Sequence, residues 1–187
     1  GPQAGRELAE KGATALLMAL LFIGVYVLMR FQWKFAVGAI VATLHDPIIT
    51  LGFFALTGLT FDLSVLAAML AVVGYSVNDT IVVFDRIREN FRKIRRGTPL
   101  DIINLSVNET LSRTIMTSFT TSLVVIAMLL FGGETLRGFS TALIIGIVIG
   151  TLSSIFVACP LLTIGFLKVT KQDLMPRAKD DAELARR

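Results

Sequence analysis

Five apolar runs dominate this chain: residues 12–29, 35–59, 63–84, 115–131 and 139–167. Each is long enough, or nearly so, to cross a hydrocarbon core of ~30 Å as a helix. The bilayer interior offers no hydrogen-bond partners, so a single apolar run that crosses it satisfies its amide groups by forming α-helix. The pattern therefore predicts an all-α fold, a polytopic membrane helix bundle with five transmembrane helices. Composition agrees, since 54% of the 187 residues are hydrophobic and mean hydropathy is +0.74. A soluble domain of this size carries more charge and shorter apolar runs. The last run is too long for one straight crossing, and Pro160 predicts a kink in it or its approach to the interface.

The net charge of +4 does not signal nucleic-acid binding, because the basic residues are segregated. Arg30 and Lys34 bracket a short turn containing Trp33. Residues 85–113 hold Arg86, Arg88, Arg92, Lys93, Arg95, Arg96 and Arg113, and the tail holds Lys168, Lys171, Arg177, Lys179, Arg186 and Arg187. These alternate with connections near 58–62 and 132–138 that contain only Arg137. The positive-inside rule then places the N-terminus outside and the C-terminus in the cytoplasm. Residues 1–168 read as the transmembrane domain with a cytoplasmic loop over 85–113, and 169–187 as a cytoplasmic tail. Gly1–Lys11 has no signal-peptide n-region, so a start on the outer side leads us to expect an earlier span that this chain lacks. Cys159 is the sole cysteine, which excludes an internal disulfide, and His45 alone cannot build a metal site. No nucleophile, base or cofactor constellation suggests an enzyme.

The third run carries the least expected residues. Asn78 and Asp79 sit about five residues inside its inner end, and at ~1.5 Å per residue Asp79 lies roughly 10 Å from the loop charges beginning at Arg86. A carboxylate at such depth costs at least ~2.5 kcal/mol on insertion scales, so it faces a protein interior or a wet cavity; the plainer reading is an interfacial Asp that reaches water. The fourth run opens with Arg113 and a stretch of hydroxyls in which Arg113, Thr117 and Thr120 or Thr121 share a face. Such hydroxyls line a polar path or simply bond their own preceding carbonyls. In the second run, His45-Asp46-Pro47 lies about 18 Å from Lys34, near mid-bilayer. It reads as a kink stabilised by polar side chains or as a second titratable station. In the fifth, Ala142, Gly146, Gly150, Ser154 and Ala158 form a small-residue ridge that invites close helix packing.

In the inner loop, Glu89 and Lys93 are spaced to pair on a helix leaving the membrane. Thr98-Pro99-Leu100-Asp101 is a helix start, and Leu100, Ile103, Val107, Leu111 and Ile115 predict an amphipathic helix on the inner surface that feeds the fourth span. It reads equally as a solvated face or as a docking face for a cytoplasmic partner.

VGYSVNDTIVVFDRIREN (residues 73–90), LSRTIMTSFTT (111–121) and GPQAGRELAEKG (1–12) together resemble the SecF family of the bacterial Sec protein-export machinery, within the resistance-nodulation-division superfamily. The resemblance covers residues 1–168. It implies six spans with a periplasmic domain between the first two, of which this chain has the last five spans, half of a pseudo-symmetric SecDF-type bundle. It also implies a SecD-like partner subunit, the SecYEG channel, an unfolded protein in transit, and a place in the bacterial inner membrane. The family's intramembrane aspartate and arginine fall on Asp79 and Arg113. The expectation is a proton-motive-force-coupled accessory to protein export, with protons as the coupling ion and no other cofactor. Asp79, Arg113 and Asn78 form its proton-coupling site, and Thr117, Thr120, Thr121, Tyr75, Asp46 and His45 a secondary polar lining. The alternatives are a small-molecule or lipid exporter of the same superfamily and a membrane scaffold.

The topology is directly testable. With Cys159 replaced by Ala, Thr60→Cys and Glu134→Cys are expected to react with an impermeant thiol reagent in intact spheroplasts, whereas Arg95→Cys and Lys179→Cys react only after rupture. Labelling at position 95 from outside would overturn the orientation.

Overall fold

The computed structural model describes residues 1–174, which form five long helices and no strand. These are α1 (Pro2–Arg30), α2 (Trp33–Thr57), α3 (Leu63–Lys93), α4 (Pro99–Phe131) and α5 (Gly133–Ser153). All five apolar runs are thus helical, and each helix is long and apolar enough to span a membrane. The chain continues from α5 through a π-helical turn (Ser154–Ala158), a helical turn (Cys159–Leu161), a 3-10 turn (Gly165–Leu167) and a short helix (Lys171–Leu174). Arg177, Lys179, Arg186 and Arg187, counted above for orientation, lie outside the described residues.

The central helix is α3. Half of its apolar window is buried, against 17% for α1 and 11% for α4. Asp62 starts it by accepting from the Ser64 hydroxyl (2.6 Å) and the Val65 amide (3.0 Å), and these bonds hold the Asp62 carboxyl below the usual carboxylate range. Its C-terminal half, at the end of the bundle that the basic residues lead us to expect on the inner side, packs into an aromatic cluster in which Phe84 meets Phe35 edge-on at 5.2 Å and Phe31 at 6.3 Å. Val27, Ile87, Phe91, Ile102, Ile103 and Leu162 extend this core. The outer end has a smaller one, around Phe54, Val65, Ala68 and Ala142.

Where the structure differs from the sequence reading, backbone chemistry explains why. The fifth helix, expected over 139–167, ends at Leu161. Pro160 has no N–H and its ring crowds the carbonyl four residues back. The turn before it widens to π geometry, and the Cys159 thiol donates to the Ser154 carbonyl at 3.1 Å. The helix expected from Thr98–Asp101 forms and feeds directly into the fourth span, as expected. It is the first part of an unbroken α4, started by a capping box between Thr98 and Asp101, and it pairs with the inner extension of α3. Asn90 donates to Ser106 Oγ (3.0 Å) and Glu109 Oε2 (2.8 Å), and Arg86 Nε to Glu109 at 2.6 Å. The expected Glu89–Lys93 pair is present.

The chain beyond the fifth helix folds back over the inner end of the bundle. Lys34 Nζ reaches Asp173 Oδ2 and the Lys168 carbonyl, both at 2.8 Å, and buries Val169 and Leu174 beneath the link. At the outer end, α4 and α5 are joined only by Gly132-Gly133. Gly133 takes φ of 69°, and a Cβ on Gly132 would lie 2.4 Å from the Met128 carbonyl oxygen.

The small-residue ridge packs within the subunit. Ala142, Gly146, Gly150, Ser154 and Ala158 are all buried. A Cβ at Gly146 would come within 2.1 Å of Val72 Cγ2 and 2.9 Å of Val72 Cβ, and a β-branched side chain cannot swing clear. Gly146→Ala is therefore expected to lower stability by ~1–3 kcal/mol, read as a lower melting temperature of the detergent-solubilised protein. Gly52→Ala, with open space around its Cβ, is the control and should match or slightly exceed the parent. Equal melting of all three proteins would show that α3 and α5 do not approach at Gly146.

Candidate functional site

The buried stripe of α3 runs through Val72, Ser76, Asp79, Thr80 and Val83, so its polar residues are built into the interior face. Asp79 is 5% exposed, and its Oδ2 has no hydrogen-bond partner. Asn78, one residue earlier, is exposed, and Tyr75 is half-buried. Arg113 is exposed on α4, and no ion pair among the described residues joins it to Asp79. The two helices are thus not locked together by a salt bridge between these residues. Arg113 instead lines a cavity of about 380 Å³ at the inner end, together with Asp85, Arg86, Glu89, Glu109 and Thr110. Ile81 and Val82, the next turn of α3 after Asp79, form part of its wall.

The hydroxyls of the fourth span divide by face. Thr117 bonds the Arg113 carbonyl (2.9 Å), Thr120 the Met116 carbonyl (2.9 Å) and Thr121 the Thr117 carbonyl (2.8 Å). These three hydroxyls are thus engaged with their own helix. Ser118, which the sequence reading did not select, points inward. It meets Tyr75 Oη at 2.9 Å and Thr151 Oγ1 at 2.5 Å, joining α3, α4 and α5. Its signal was the four-residue spacing Ser106–Thr110–Thr114–Ser118, three of whose members are buried.

A second polar group lies between α2, α3 and the end of α5. Asp46 is fully buried, its Oδ1 is 3.2 Å from His45 Nδ1, and its Oδ2 accepts from the Ser76 hydroxyl. Thr80 Oγ1 and Ser154 Oγ, 3.1 Å apart, extend the seam, and Ser154 donates to the Gly150 carbonyl at 2.9 Å. Ser76, Thr80 and Ser154 were not singled out as site residues either. Placing every polar residue of the third run on its apolar stripe finds the first two.

A bundle of five membrane-length helices that buries two carboxylates between them defines a multi-pass membrane protein. Comparison with known proteins makes the assignment specific. The family described as protein export membrane protein SecD/SecF, C-terminal, matches residues 1–167, and the chain belongs to that family. It is 55% identical over 177 residues to the protein translocase subunit SecF of Vibrio alginolyticus, covering 94% of this chain and 55% of that protein. It is 52% identical over 184 residues to the SecF of Pseudomonas aeruginosa, covering 98% and 60%. The crystal structure of SecDF from Thermus thermophilus, a translocon-associated membrane protein, superposes with a TM-score of 0.81 at 47% identity, covering 87% of this chain and 23% of that one. The chain spans about half the length of the curated relatives it matches.

The Tyr75–Ser118 contact can be measured. Tyr75→Phe and Ser118→Ala should each lower the melting temperature. Combined, they should be less than additive by about 0.6 kcal/mol, typical of a hydrogen bond between membrane helices. Strict additivity would remove the contact.

Proposed function

We propose that this chain is the membrane part of an accessory subunit of the Sec translocon that uses the proton-motive force to assist protein export across the inner membrane. Its relatives' names and the SecDF-like fold support this over a small-molecule or lipid exporter or a scaffold. It acts with a SecD-like subunit, the SecYEG channel and an unfolded protein in transit, and not as an enzyme. It sits with its N-terminal end on the periplasmic side and its C-terminus in the cytoplasm.

The observation that carries the mechanism is Asp79, a buried side chain at membrane depth with an unpartnered oxygen and no ion pair to Arg113. Low-dielectric surroundings favour the neutral acid, and an approaching guanidinium favours the carboxylate. Arg113 lies at the inner cavity, so its approach or withdrawal would switch Asp79 between releasing and holding a proton. The membrane potential supplies ~2.3 kcal/mol per charge per 100 mV, comparable with a change of one to two pKa units. In this reading Asp79 accepts the coupling proton and Arg113 is its electrostatic gate. Asn78 and Tyr75 line the approach, with His45 and Asp46 as secondary polar lining. Asn78 and Arg113 are exposed on the isolated bundle, a polar face that needs protein or water over it in a bilayer; a SecD-like bundle would supply both.

The test is Asp79→Asn in the full-length protein with its partner. Normal co-purification with loss of proton-dependent export is expected. A well-assembled variant that retains full proton-motive-force-dependent export would refute the assignment.

A further inference from the structure

The five apolar runs contain no lysine or arginine; their acidic residues are Asp46 and Asp79, and their one histidine is His45. Asp46 is 0% exposed and has both oxygens engaged, by His45 Nδ1 and by the Ser76 hydroxyl. No lysine or arginine pairs with it among the described residues. The elements packed around it bring no cation either. From α3 comes Ser76, with Asp79 one turn further on. From α5 comes Gly150, whose added Cβ would stand 3.6 Å from Asp46 Oδ2, while the charged residues of that helix, Glu134 and Arg137, are in its first turns. The π-helical turn brings Ser154, whose carbonyl the Cys159 thiol occupies. A bare carboxylate buried without a counter-charge is prohibitively costly. Neutrality here needs one proton shared by the pair, either a carboxylic acid beside a neutral imidazole or a carboxylate beside an imidazolium.

We propose that His45 and Asp46 form a second proton-binding station, hydrogen-bonded through Ser76 to the helix that carries Asp79 and seated at the proline-weakened turn of α2. The inference rests on the proton-coupled reading of Asp79 and deepens it. Pro47 offers no N–H to the Thr43 carbonyl, so α2 is softest at this turn. The Thr43 hydroxyl is committed to the Ala39 carbonyl (2.6 Å), and Thr50 Oγ1 donates to the Asp46 carbonyl (2.9 Å). Neither bond replaces the N–H that Pro47 withholds from the Thr43 carbonyl. When the proton leaves, a negative charge is stranded among α2, α3 and α5. Bending α2 at Pro47 relieves it by loosening the contact of Asp46 with Ser76 and Gly150 on the side of His45, whose side chain is 37% exposed. Proton occupancy of α2 thus sets how tightly it packs against Ser76 and Gly150.

The full-length protein, co-assembled with its partner in proteoliposomes, tests this through export measured with and without an imposed proton gradient. Asp46→Asn keeps a carbonyl acceptor for Ser76 but cannot take the proton. Normal assembly with loss of the gradient-dependent component is expected, and Asp46→Glu should restore part of it. His45→Gln should shift the pH profile of gradient-driven export. A purely structural clamp predicts that Asp46→Asn exports like the parent and that His45→Gln leaves the profile in place; either result overturns the proposal. If Asp46→Asn fails to assemble, the His45→Gln profile decides. Asp79→Asn run alongside separates the two readings. Loss of export there with parent-like Asp46→Asn removes only the second station, whereas full export in Asp79→Asn removes the coupling role on which it rests.

Discussion

The constraint on which the structure depends is that hydrocarbon supplies no hydrogen bonds, so a polar side chain placed between membrane helices turns for a partner to its own backbone or to a neighbouring helix. Ser76, Thr80, Ser154 and Asp46 do so in one seam, and that seam sets the register of three helices. It also sets how close they come. Gly146 and Gly150 allow α5 to approach α3 at Val72 and Ser76, and a side chain at either position would collide with or crowd that contact. The small-residue ridge and the polar seam are therefore one device. Van der Waals contact at the glycines brings the hydroxyls within reach, and the hydroxyls fix which turn of α5 meets which turn of α3.

Much of this was legible because membrane helices announce themselves by length and composition. The five spans, the Thr98–Asp101 capping box, the Glu89–Lys93 pair and the packing role of Gly146 and Gly150 follow from rules local to one helix. What could not be read depends on which side of a helix its neighbours occupy. Thr117, Thr120 and Thr121 fit a lining face on spacing alone, yet each bonds its own helix, while Ser118 turns inward. The fold-back of the chain after Leu161 was hidden for the same reason. Lys34 and Asp173 lie far apart in sequence, and their ion pair exists only once α2 and the chain end are side by side. The pairing of the first part of α4 with α3 was likewise hidden, because an apolar stripe records that a face is buried without recording what buries it.

The two ends of the bundle are not equivalent. The inner end is held by the Phe31, Phe35 and Phe84 cluster, the Asn90 and Arg86 bonds to α4, and the Lys34–Asp173 link. The outer end has a small core and short connections. Asp79 is buried on the better-packed side, whereas Arg113 is on the exposed face of α4.

The distribution of charge along the sequence sharpens this. Cations stop at the ends of the apolar runs, whereas both intramembrane carboxylates lie within them. Among the described residues no lysine or arginine pairs with either acid, and only Asp46 has a neighbouring imidazole, that of His45. The two acids solve the problem differently. Asp46 has both oxygens in hydrogen bonds, whereas Asp79 leaves Oδ2 without a partner. The two are linked through α3: Ser76 holds Asp46 from the neighbouring helix, and Asp79 follows one turn on along the same buried stripe.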